Sequence, residues 1–175
     1  SLLTTRGQRV AYGGLIFTRV PAIRERIPGF YLGDHIEHAS QAVGEALISP
    51  TATSQASPAS DEARAAAELF EAHRPEIEAY VQAQLGSDGI QARHLEQAQF
   101  SLGDSLDACL RLDSLEPLKA DIAWLVGLLA NFGVGRAQLG QFLQTYAAAA
   151  DRHLPEEAEL ASEWLHDLAN EEQKA

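Results

Sequence analysis

The sequence predicts an all-α protein, an irregular bundle of about six to seven helices behind an N-terminal arm. Three observations carry that expectation. Alanine, leucine, glutamate and glutamine are abundant while runs of valine, isoleucine and threonine are few, a composition that favours helix over strand. Apolar residues recur at intervals of three and four from Leu118 onward: Leu118, Ile122, Leu125, Leu129 and Phe132, then Leu139, Phe142, Leu143 and Tyr146, then Leu160, Trp164, Leu165 and Leu168. That spacing sets each group along one helix face. Gly133-Val134-Gly135 and Leu154-Pro155, lying between the groups, are helix punctuation.

Taken in chain order, residues 1–30 form a basic arm. Arg6, Arg9, Arg19, Arg24 and Arg26 stand against Glu25, a balance of +4 in a chain whose net charge is −12. Residues 8–20 hold two β-prone runs about Gly13-Gly14 and predict a hairpin, or an extended arm in its place. The first confident helix occupies residues 31–49. Asp34 followed by Glu37 reads as a capping pair, and Ile36, Ala39, Val43, Ala46 and Leu47 share one face. Residues 50–60, Pro-Thr-Ala-Thr-Ser-Gln-Ala-Ser-Pro-Ala-Ser, lack large apolar groups and predict a flexible linker.

The helical core is expected over 61–175. Its first helix starts at Ser60 or Asp61 and should break or kink at Pro75, which removes a backbone donor and crowds the preceding turn. Ile77, Tyr80, Val81 and Leu85 continue at helical spacing to Gly86, a natural left-handed terminator. A further helix spans about residues 90–112, with Leu95, Ala98, Leu102, Leu106 and Cys109 as its apolar stripe. Ser114 suits the next N-cap, Gly133 and Val134 a Schellman ending, and Pro155 with Glu156 and Glu157 a helix start.

Composition excludes several classes. An acidic chain of 175 residues repels phosphate backbones, so nucleic acid is not expected as a partner. No apolar run approaches the length of a membrane-crossing helix, and no signal peptide opens the chain. The single cysteine, Cys109, suits a reducing compartment and hence a cytoplasmic protein. The chain begins at Ser1 without an initiator methionine, from which we expect a module of a longer protein. Opposite charge and surplus apolar residues in the arm (Val10, Leu15, Ile16, Phe17, Val20) lead us to expect a homodimer, or docking to another protein partner, in which residues 8–30 contribute.

Candidate chemistry is sparse. His35 and His38 lie three apart near Asp34 and Glu37, an incomplete metal set. Glu163 and His166 have the Glu-x-x-His spacing of di-iron bundles, but no second such motif accompanies them. His153 sits at a helix end, where the dipole favours a protonated imidazole. Cys109 falls on an apolar stripe and reads as a buried, inert thiol. No P-loop, His-Glu-x-x-His, Cys-x-x-Cys or Gly-x-Ser-x-Gly is present, so neither a catalytic residue nor a metal is expected. Leu129, Gly133 and Leu139 echo a helix-turn-helix corner, yet Arg136 is the lone cation of its second helix.

The run Leu69-Phe-Glu-Ala-His-Arg-Pro-Glu-Ile-Glu-Ala-Tyr-Val-Gln-Ala-Gln-Leu85, followed by Trp124 to Val134 and Leu139 to Tyr146, resembles globin-like sensor domains. The nearest likeness is to the cofactor-free N-terminal domains of stressosome scaffold proteins, with phycobiliproteins more distant. The resemblance covers residues 61–170 through helix lengths and apolar spacing. It implies a globin-like bundle that senses or scaffolds as a dimer without catalysis. Phycobiliproteins attach a bilin through a Cys-x-Arg-Asp setting; here Cys109-Leu110-Arg111-Leu112-Asp113 carries one extra residue, which turns the carboxylate about 100° round the helix. We therefore expect a non-enzymatic regulatory or sensory module without a cofactor. The alternative is a carrier of a small apolar ligand or a tetrapyrrole, using a pocket near Trp124, Phe132, Tyr146 and Trp164 with His153 or Cys109 as attachment points.

Overall fold

Helix dominates the computed structural model, which describes residues 10–48, 57–86, 92–122 and 136–174. The protein is all-α. It divides into two compact units, Ser1–Ala59 and Ser60–Ala175. The arm and the first helix, expected as separate segments, thus belong to one unit.

In that first unit the expected hairpin does not form. Strand β1 (Ala11–Tyr12) pairs with β2 (Phe30–Tyr31) in parallel, Ala11 opposite Phe30 and Tyr12 opposite Tyr31. The second β-prone run instead makes helix α1 (Leu15–Arg19), followed by a 3-10 helix over Pro21–Glu25. Gly14 at φ 125° turns the chain into α1, a conformation that favours glycine. The cause lies in the side chains. Phe17, Val20 and Ile23 are buried, and the rings of Tyr12, Phe17 and Tyr31 meet at centroid distances of 4.8–6.1 Å. A hairpin would have split Phe17 and Val20, three apart, between opposite faces of a strand. A 3-10 turn over Ile36–His38 then leads into α2 (Ala39–Ile48).

Asp34 does not cap this helix. His35 holds the N-cap position of the 3-10 turn without a side-chain hydrogen bond. The Asp34 carboxylate instead accepts from Thr18 at 3.0 Å, Arg24 at 2.7 Å and Tyr31 at 2.7 Å. Those bonds, Tyr31 first and Thr18 next, hold its pKa below the ordinary carboxylate value. They tie α1, the 3-10 helix and β2 together at one point.

The second unit is built on α3 (Asp61–Leu85), which packs against α4 (Ala92–Leu112), α6 (Arg136–His153) and α7 (Glu159–Lys174). Residues 116–122 belong to α5, and a 3-10 turn over Glu156–Ala158 precedes α7. Helices α6 and α7 also pack on each other. Ser60 caps α3, its Oγ accepting from the Ala63 amide at 3.1 Å, with Asp61 and Glu62 in the positive first turn. Ser60→Ala should lower the unit's stability by about 1 kcal/mol in urea denaturation. An unchanged midpoint would show that the cap is redundant.

Pro75 neither breaks nor ends α3, which runs as one helix of 25 residues. Burial on both sides of the proline, Phe70 before and Ile77, Val81 and Leu85 after, outweighs the missing backbone bond. Gly86 terminates α3 in the right-handed region at φ −63°, not in the left-handed one. That role falls at the end of α4 to Asp113, at φ 51°. The Ser114 amide bonds Cys109 O at 3.0 Å and the Asp113 amide bonds Leu110 O at 3.0 Å, which is a Schellman ending. Asp113 also accepts from the Ser60 amide at 3.1 Å, joining the end of α4 to the start of α3. The Gly133-Val134 ending lies outside the described residues.

Candidate functional site

The residues proposed for a ligand pocket occupy different settings. Trp124 and Phe132 lie outside the described residues. Tyr146, on α6, is fully buried in the core beside Phe142, ring centroids 5.9 Å apart. Trp164, on α7, is half-buried against the same core. His153 is half-buried at the end of α6 and meets the Tyr80 ring edge-on at 5.9 Å, while Arg152 lies over that ring at 5.7 Å. Cys109 is 2% exposed, and burial pushes its thiol up to about 11 against a weaker lowering by a backbone hydrogen bond at Leu118. A thiol so buried and so protonated is a poor nucleophile near neutral pH.

The Cys-Arg-Asp residue types are drawn into unrelated contacts. Arg111 donates to Asp107 at 2.8 Å, and Asp113 receives the Ser60 amide. The paired histidines His35 and His38 are exposed, with rings 6.2 Å apart, while the nearby Asp34 is engaged by three other donors. Glu163 and His166 are both exposed, and His166 Nε2 lies 2.8 Å from Asp151 on α6. Among the described residues no group of three or more histidine, cysteine, aspartate or glutamate side chains is gathered for a metal. Among them, too, no helix is long and apolar enough to cross a membrane.

The polar centre that the geometry does build was not anticipated. On α3 the buried positions run Ala63, Ala66, Ala67, Phe70, Ile77, Val81 and Leu85, and Arg74 stands where that stripe requires the next apolar residue. Its side chain is 12% exposed. Nε donates to Glu78 at 2.7 Å, Nη1 to Asp104 at 2.7 Å and Nη2 to the Phe100 carbonyl at 3.0 Å. The Phe100 ring lies beneath the guanidinium, 5.6 Å from its carbon. Burial opposes the charge, but the hydrogen bonds to Glu78 and Asp104 prevail and hold Arg74 protonated above its ordinary range.

Gly103 completes the niche. A Cβ there would come within 2.5 Å of Arg74 Nε and 2.6 Å of its Cζ. Gln99, 4% exposed, adds a bond from Nε2 to Glu78 O at 2.7 Å. The Tyr146 hydroxyl is buried without a hydrogen-bond partner among the described residues, and burial followed by the Glu78 charge raises its pKa. The single cation of this cluster is engaged by the carboxylates of Glu78 on α3 and Asp104 on α4, so the arrangement fastens the two helices. The sequence carried a signal for it: Arg74 and Gln99 are polar residues at core-facing positions of their helices. Comparison with protein-family models, with curated proteins and with solved structures finds no match to this chain.

Proposed function

We propose that this protein is a non-enzymatic regulatory or sensory interaction module, cytoplasmic and cofactor-free, that works through protein contacts within a larger signalling or scaffold assembly. It forms a homodimer, binds a protein partner and does not bind nucleic acid. The observation that carries this reading is where apolar surface stays open. Leu15, Ile36, Leu47 and Ile48 are 62–90% exposed, and all belong to the first unit. Among the described residues of the second unit, Tyr146, Phe70, Leu106, Leu110 and Leu165 are fully buried in one core, and Phe100 is the large apolar side chain left open, at 58%. Several large apolar side chains left open within one unit are a feature of association. The resemblance to cofactor-free globin-like sensor domains points the same way.

The alternative, a carrier of a small apolar ligand or tetrapyrrole, is less well supported, because Tyr146 packs into the core and Cys109 is buried and protonated. Absorption spectroscopy and elemental analysis of the purified protein distinguish the two. We expect a colourless protein without stoichiometric metal. Visible absorption or bound metal would favour the carrier and make His153 and Cys109 the first ligands to test.

A further inference from the structure

We infer that the second unit binds one interior water molecule between α3 and α6, held by the Tyr146 hydroxyl, the Glu78 carboxylate and the Arg74 guanidinium. Tyr146 comes from α6, whereas the clasp around Arg74 joins α3 to α4. The water therefore ties a third helix to that polar centre.

The hydroxyl points to a ligand because it is enclosed and unmatched. Tyr146 is fully buried, and its Oη has no hydrogen-bond partner among the described residues. A hydroxyl taken out of water without a replacement bond is costly, and buried hydroxyls are as a rule satisfied by protein or by ordered water. Its surroundings are polar. Burial acts on this group first; after it come the charges of Glu78, Arg74, Asp104 and Glu71. None of them stands within hydrogen-bond distance of the hydroxyl. A polar gap of this kind suits a single water.

Two neighbours keep bonding capacity for it. Glu78 accepts from Arg74 through Oε1 and from Gln99 through its backbone carbonyl, so Oε2 takes no bond from either. A guanidinium has about five N–H donors. Arg74 uses one each on Glu78, Asp104 and the Phe100 carbonyl. Glu71, at 3.9 Å, lies beyond hydrogen-bond reach. With the Tyr146 hydroxyl these groups supply about three partners, the usual number for a buried water. The water accepts from Arg74 and Tyr146 and donates to Glu78 Oε2.

A high-resolution crystal structure of the whole chain, and urea unfolding of Tyr146→Phe near neutral pH, test this together. The crystal should show a water within about 3 Å of both Tyr146 Oη and Glu78 Oε2. Phenylalanine keeps the ring and its packing on Phe142 and removes only the hydroxyl, so the variant still folds. Its folding constant should fall about fivefold, the worth of one net hydrogen bond. A hydroxyl with no partner gives the opposite sign, because its removal takes away a desolvated group. A folding constant unchanged or raised in Tyr146→Phe overturns the site. So does a crystal structure in which Tyr146 Oη bonds directly to a protein group, stands dry, or carries a water that does not reach Glu78.

Discussion

Replacing Arg74 with alanine should cost the second unit about 3 kcal/mol in equilibrium urea unfolding, a large share of the stability of an ordinary domain. The guanidinium makes three hydrogen bonds with a side chain only 12% exposed. Its removal leaves Glu78 and Asp104 without their cation. Both carboxylates retain some solvent access, at 30% and 51%, which keeps the loss at the lower end for a broken buried pair. Gly103 makes the test specific. In the parent protein, Gly103→Ala should destabilise by about 1–2 kcal/mol, because the new methyl displaces the pinned guanidinium despite alanine's better helix propensity. In the Arg74→Ala background the obstruction is gone, and the same substitution should stabilise by about 1 kcal/mol. A Gly103→Ala change of the same sign in both backgrounds would show that the two residues are not coupled.

Much of the fold was legible because burial and periodicity agree. Leu139, Phe142, Leu143 and Tyr146 on α6, and Leu165 and Leu168 on α7, are buried as their spacing predicts. The errors arose where a local rule met a stronger contact. Gly13-Gly14 suited a hairpin, but a cluster of Tyr12, Phe17 and Tyr31 made a helix the better way to bury Phe17. Asp34 fitted an N-cap, yet Thr18, Arg24 and Tyr31 offered it three donors that no short-range pattern announces. Pro75 was expected to break or kink its helix, and no break occurs, because the buried face continues on either side of it.

The candidate site was harder to read for a related reason. His153, Cys109 and Tyr146 drew attention as residue types, but their surroundings decide their chemistry. Cys109 and Tyr146 are both enclosed in the core of the second unit. Arg74, by contrast, falls on the core-facing stripe of α3, a signal that a reading by residue type passes over. Its significance depends on Gly103 and Asp104 about thirty residues later, a pairing that only the α3–α4 contact reveals.

The second unit should also lose stability steeply in alkali, and the loss should trace to two buried groups. The Cys109 thiol has an ordinary value of 9.0, which burial pushes up to about 11 in the folded chain. Between those values the unfolded chain has released the proton and the folded one has kept it. Folding therefore binds a proton, and stability falls as pH rises through this window. The interval of about two units, at about 1.4 kcal/mol each, sets the thiol's contribution at roughly 3 kcal/mol. Tyr146 acts in the same direction from its ordinary value of 10.0 upward, since burial raises it too. Both tryptophans, Trp124 and Trp164, belong to the second unit, so their fluorescence follows its unfolding. Urea midpoints measured from about pH 8 to about pH 11 should decline progressively. The double variant Cys109→Ala, Tyr146→Phe should be nearly flat over most of that range. Lys119, held protonated by its 2.6 Å bond to Glu171, leaves a small residual decline above its ordinary value of 10.5. If the variant instead follows the parent's decline throughout, neither buried group is responsible for it, and the protonated, enclosed state assigned here to Cys109 and Tyr146 is wrong.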